Sequence, residues 1–260
     1  MMKKQPRMRI RRVALLFCLA LALLLCACRG SDIPAFEKND DGEYVNPETE
    51  VSYLSAPWNY EAISRVTSRP VVRIEQDKID DVVLYEIEKI SSSQYLSTEN
   101  YDLFYASNLT LPTLSAMAPT SVLVCQGADR SFVTETITDA SDIAAILAAV
   151  NARPLGSFEG EDYNTFTLKF ASEQYSAFYY RLTYRQYDAP IESWVLIEDA
   201  DNYEVLYENA EVRVEEYKGE LYAVYTFGVG VIYDNATQTF YAVGDVIADR
   251  LGLAEGDSND

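Results

Sequence analysis

Two stretches decide the fold: Thr165-Phe166-Thr167-Leu168-Lys169-Phe170 and Phe178-Tyr179-Tyr180-Arg181-Leu182-Thr183-Tyr184-Arg185. In the first, Phe166, Leu168 and Phe170 alternate with Thr165, Thr167 and Lys169. In the second, Phe178, Tyr180, Leu182 and Tyr184 alternate with Tyr179, Arg181, Thr183 and Arg185. Successive strand side chains point to opposite faces, so each stretch reads as a strand with one buried face. The short connection between them favours antiparallel pairing, because parallel neighbours need a long crossover.

Working outward, further strands are expected at Trp194–Ile197, Glu204–Tyr207, Val212–Glu216 and Leu221–Phe227. Val229–Tyr233 and Thr239–Val243 flank Asp234-Asn235-Ala236-Thr237 and read as a hairpin. Upstream, Thr138 or Asp139 can cap a helix in which Ile143, Ile146, Leu147 and Val150 recur at helical spacing, and Arg153-Pro154 ends it. A second short helix is expected at Asp245–Leu251. Between Asp77 and Ile90 the apolar spacing fits a helix, while Val82-Val83-Leu84-Tyr85 fits a strand equally well. The predicted fold is α+β: a mostly antiparallel meander with one amphipathic helix, about 139–151, packed on a face. Pro112 and Pro119 bracket a polar stretch, which predicts an N-terminal β-rich part at 51–118 and a C-terminal α+β unit at 119–260.

The start of the chain carries a different signal. Lys3, Lys4, Arg7, Arg9, Arg11 and Arg12 precede an apolar run from Val13 to Ala27. A basic start and an apolar run of about 15 residues describe an export signal, too short for the roughly 20 residues that span a bilayer. At its end, Leu25-Cys26-Ala27-Cys28 resembles the bacterial lipobox. The resemblance implies cleavage before Cys28 and a diacylglyceryl group on its thiol, with 1–27 removed. Two acyl chains anchor a protein stably. The polar residues that follow, 28–50, lack periodicity and read as a flexible acidic tether. The expected location is the outer face of the cell membrane, with the bilayer as partner through Cys28.

Loss of 1–27 leaves 15 basic against 41 acidic residues, a formal charge of −26. Nucleic acid is excluded as a partner, since its binding depends on Lys and Arg neutralising phosphates. The chain contains no histidine, which removes Ser-His-Asp and Cys-His nucleophiles and His-based zinc sites. With Cys28 lipidated, Cys125 has no partner; in the apolar run Ser121–Cys125 it reads as a buried, inert thiol.

Tyrosine is abundant, with 20 residues in the chain. Tyr179, Arg181, Tyr184 and Trp194 are the candidate ligand-binding residues, because amphipathic rings suit both sugars and protein partners. Glu198 to Glu204 is an acidic run, and Asp199, Asp201 and Asn202 are its weak candidates for a cation. A calcium-binding EF-hand loop needs Gly at its sixth position and Glu at its twelfth; counted from Asp199 these are Glu204 and Ala210, so an acidic turn is the simpler reading. Gly228-Val229-Gly230 lacks the context of a phosphate loop and marks a strand bend. No catalytic residues assemble and no cofactor is implied beyond the lipid. The expectation is a tethered, non-catalytic module for protein interaction or envelope assembly. The alternatives are glycan or small-ligand binding on a Tyr/Trp-rich face, then a carboxylate-based hydrolase.

Overall fold

The computed structural model describes residues 33–63, 66–76, 81–126, 132–155, 163–198, 206–207 and 210–252. Cys28 and the stretch expected to be an export signal lie outside them. No described helix is long and apolar enough to cross a membrane.

The two deciding stretches form β11 (Tyr163–Ala171) and β12 (Phe178–Tyr187), paired antiparallel with Lys169 opposite Arg181 and Leu168 opposite Leu182. They are the centre of a sheet ordered β10–β9–β11–β12–β16–β17, with β9 at Ser121–Gln126, β10 at Phe132–Ile137, β16 at Gly230–Asp234 and β17 at Thr239–Gly244. The expected hairpin is β16–β17. Its bend at Gly228-Val229-Gly230 is a close approach: a Cβ on Gly230 would strike the Gly244 carbonyl, and the register shifts at that point.

One face of this central sheet is covered by helices. α2 (Ala140–Asn151) starts where Asp139 accepts hydrogen bonds from the backbone N–H groups of Ser141 and Asp142, at 2.9 and 3.2 Å. Its buried Ile143, Ile146 and Ala149 pack on Val122, Val124, Phe166, Leu168, Phe170, Leu182 and Tyr184. α3 (Val246–Leu251) adds Ile247 to the same core. The α+β class and the largely antiparallel meander are therefore what the molecule shows.

The first third of the chain makes a second sheet. β1 (Glu37–Lys38), β2 (Tyr44–Val45), β3 (Ser52–Ser55), β5 (Val66–Ile74), β6 (Val82–Ile87), β7 (Tyr95–Ser97) and β8 (Leu103–Ala106) run in the order β1–β2–β3–β8–β7–β6–β5. Its two ends meet: Ala35 pairs with Arg73, the Phe36 N–H donates to the Arg73 carbonyl at 2.8 Å, and the Arg73 N–H donates to the Pro34 carbonyl at 2.9 Å. This bridge joins the two outermost strands and closes the sheet into a small barrel. Tyr53, Val72, Leu84, Leu96 and Phe104 fill its core, with Phe36 and Tyr44 packed against them.

One expectation changes here and one open alternative is decided. Residues 33–50, read as part of a tether, contain the closing strands. Their polar residues hid Phe36 and Tyr44, whose rings lie 5.5 and 5.8 Å from those of Tyr53 and Phe104. Of the ambiguous 77–90 stretch, Val82–Ile87 forms strand β6, held in the barrel wall by pairing with β5 and β7 and burying Leu84 and Ile87. The polar stretch between Pro112 and Pro119 holds a one-turn helix, α1 (Leu114–Met117), that buries Leu114 and Met117.

The 51–118 and 119–260 portions are stitched together. β4 (Tyr60–Ala62) leaves the barrel and pairs with the start of β12, setting Glu61 opposite Tyr179. Ala62, Ile87, Leu103, Met117 and Phe178 form a shared core at this junction.

A third sheet, β13–β15–β14, is an excursion between β12 and β16: β13 (Glu192–Leu196), β14 (Glu211–Tyr217) and β15 (Glu220–Thr226). Its inner face, through Ala223 and Tyr225, packs on Val231 and Ala242 of the central sheet. The strand expected at Glu204–Tyr207 is not seen at Leu206 and Tyr207; Glu204 and Val205 lie outside the described residues. Tyr207 instead packs its ring 5.0 Å from that of Tyr225, as a plug for this core.

Candidate functional site

The helix-free face of the central sheet carries a buried charge cluster. The pairing of β4 with β12, and of β11 with β12, brings Glu61, Lys169 and Arg181 together. Each is less than a tenth exposed. One Glu61 carboxylate oxygen accepts from Lys169 Nζ; the other accepts from Arg181 Nη1 at 2.8 Å. Burying such charges costs several kcal/mol per ion, which only close pairing offsets. Each cation lies under a ring. Lys169 Nζ is 5.8 Å from the centre of Tyr179, and the Arg181 guanidinium is 3.8 Å from the centre of Trp58.

Arg181 also fixes the loop that carries Trp58. Its Nε donates to the Trp58 carbonyl at 3.0 Å, and its backbone N–H donates to the Asn59 carbonyl at 2.6 Å. Asn59 Nδ2 in turn donates to Asp234 at 3.0 Å. Burial pushes the Tyr179 hydroxyl up, with Cys125 and Glu61 adding to it. Cys125 is buried beside this cluster, and desolvation raises its thiol more than Lys169 lowers it. A thiol held in its neutral form fits a packing role.

Trp58 and Arg181 border a cleft of about 430 Å³ at one mouth of the barrel, with Tyr44, Thr98, Asp102 and Phe104 among its walls. Asp102 is the one carboxylate among the described residues that line it.

The outer sheet offers a different surface. Six of the ten large apolar side chains that are exposed among the described residues belong to its three strands. Trp194, Leu196 and Tyr217 are 43, 46 and 51% exposed. Register places them on one face with Tyr222, opposite the face that packs on the central sheet. Trp194 lies 6.2 and 5.9 Å from the rings of Tyr217 and Tyr222. Around them Arg213 is 2.7 Å from Glu192 and 2.5 Å from Glu215, which lowers the Glu192 carboxyl.

No protein-family model, curated protein or solved structure matches this chain. The reading of its surfaces therefore rests on its own geometry.

The four residues predicted for one ligand site do not share one. Tyr179 and Arg181 do lie on one face of β12, half-buried and buried. Tyr184 has the opposite parity and is fully buried in the helix-covered core. Trp194 stands in the outer sheet. Asp199, Asp201 and Asn202 lie outside the described residues, and among those described no group of three metal-ligating side chains occurs. Sequence reading missed Glu61, Lys169 and Trp58. Lys169 was visible as a cation on the polar side of an alternating strand; Glu61 sits in a three-residue strand without a pattern of its own.

Proposed function

We propose that this chain is a lipid-tethered, extracytoplasmic docking module that binds a protein partner through the outer face of its three-stranded sheet. The observation that carries this reading is the concentration of exposed Trp194, Leu196 and Tyr217 on one sheet face. Soluble monomers rarely leave contiguous apolar surface uncovered, and Trp, Tyr and Arg are the residues that dominate binding energy at interfaces. β14 strengthens the case. It is an edge strand, and Val212 and Val214 on its other face are exposed too. The tether rests on the lipobox at Cys28.

The test is capture of envelope proteins by the full-length, detergent-solubilised chain, alongside a Trp194→Ala/Tyr217→Ala double variant. A stoichiometric partner held by the wild type and lost by the variant, at unchanged thermal stability, supports docking through this face. Equal capture by both moves the contact elsewhere. Cys28→Ser should abolish lipid labelling and release the protein from membranes; continued labelling would remove the tether from the proposal.

A further inference from the structure

The barrel has two mouths of different chemistry. One, about 550 Å³, is lined by polar Glu50, Ser52, Ser93 and Gln94 together with Val51 and Leu109, with no aromatic ring among the described residues that line it. The other is the aromatic cleft of about 430 Å³, where β3 and β5 end and β6 and β8 begin. We propose that this second mouth is a binding site for a neutral saccharide, separate from the docking face.

Size and place come first. The volume falls in the range of small-ligand sites, and barrel mouths are among their usual locations. The lining is split between flat apolar faces and polar edges. Trp58 and the partly buried Tyr44 supply rings over the buried Phe104; Asp102 and Gln76, both exposed, supply hydrogen-bonding groups. A sugar ring has the same division, with C–H faces that stack on aromatics and hydroxyls around its rim.

Charge selects against an anion. Arg181 reaches the cleft already paired with Glu61 at 2.8 Å and stacked on Trp58, and Glu61 is shared with Lys169, so the cluster holds one positive charge in excess. Asp102 in the cleft wall offsets that charge, and the chain as a whole is strongly acidic. Phosphate or a carboxylate would therefore meet no net positive charge among the described residues of the site.

The site is also rigid. Trp58 remains 38% exposed although Arg181 packs against it, and its loop is held by two hydrogen bonds from Arg181. Holding a stacking ring in place before binding lowers the entropy cost of association. A buried charge cluster is a costly way to stabilise a fold, and here it orients the one exposed tryptophan of the barrel mouth.

The two tryptophans of the chain are Trp58 and Trp194, so Trp194→Phe in the full-length protein leaves Trp58 as the reporter. Its emission should be followed against neutral tetrasaccharides of glucose (β-1,4 and α-1,4 linked) and of N-acetylglucosamine. Tetragalacturonate and inorganic phosphate serve as anionic probes. The expected result is a saturable change with at least one neutral saccharide below about 10 mM, weakened about tenfold by Asp102→Asn. Gln76→Ala, at an exposed position, repeats the reading should Asp102→Asn lower thermal stability. The proposal is overturned if only the anions bind, if no neutral saccharide saturates while the protein melts cooperatively, or if both wall variants leave the affinity unchanged.

Discussion

The barrel and the outer sheet are built from similar strands and end in opposite states. In the barrel, the ends of the sheet meet at Ala35 and Arg73, and Tyr53, Val72, Leu84, Leu96 and Phe104 turn inward. The outer sheet has three strands, with β13 and β14 at its edges, and it holds six of the ten exposed large apolar side chains among the described residues. Closure explains the difference. A sheet that meets itself buries one face and satisfies its edge groups without help. A three-stranded sheet held by one face cannot do so, and its remaining apolar surface is available for a partner. Closed, buried cores therefore lie in the barrel and central sheet, and most of the exposed large apolar surface among the described residues lies in the outer sheet.

The largest effect should come from the joint between regions. Glu61→Ala leaves Lys169 and Arg181 buried without their carboxylate, at a cost of about 3–5 kcal/mol by urea unfolding. A single shifted transition would show that barrel and central sheet unfold together, whereas a new early transition would separate them. Within the barrel, Phe104→Ala should cost about 3 kcal/mol, because it empties part of a closed core.

Alkali should act on the buried tyrosines of the barrel, of the junction and of the charge cluster. Burial raises Tyr53 from the ordinary value of 10 to about 12, and Tyr60, Tyr95 and Tyr179 are also raised, chiefly by burial. The neutral phenol is the form the fold favours, so this contribution is fully present below pH 10 and is lost as pH rises through about 12. Thermal melts between these limits should show falling stability; a flat profile would contradict the burial of Tyr53. The outer sheet should respond least. Trp194→Ala is expected to change the stability of the isolated protein by no more than about 0.5 kcal/mol, while it weakens partner capture. A loss comparable to that of Phe104→Ala would mean that Trp194 is structural and would collapse the contrast.

Much of the central sheet was legible. The alternation of Phe166, Leu168 and Phe170 with Thr165, Thr167 and Lys169 predicted both the strand and its buried face. Asp139 and the spacing of Ile143 and Ile146 did the same for α2. The barrel was mostly illegible for a physical reason: its strands are as short as two residues, and period-two alternation needs at least four to register. Phe36 and Tyr44 stand among Asp, Glu and Asn, so local composition pointed to a tether, while the partners that bury them lie at Tyr53 and Phe104. The candidate site failed in part through parity. Tyr184 is three residues from Arg181, an odd separation that sends it to the other face.

By itself the sequence determined what depends on neighbours along the chain: the export signal and lipobox expectation, the acidic charge, the lack of histidine, and the faces of β11, β12 and α2. Only the tertiary structure decided what depends on pairs distant in the chain. Closing the barrel takes Ala35 to Arg73, and building the charge cluster takes Glu61 to Lys169 and Arg181. Those contacts follow from the global path of the backbone, because hydrogen-bonded edges and buried charges must find partners wherever the fold can bring them.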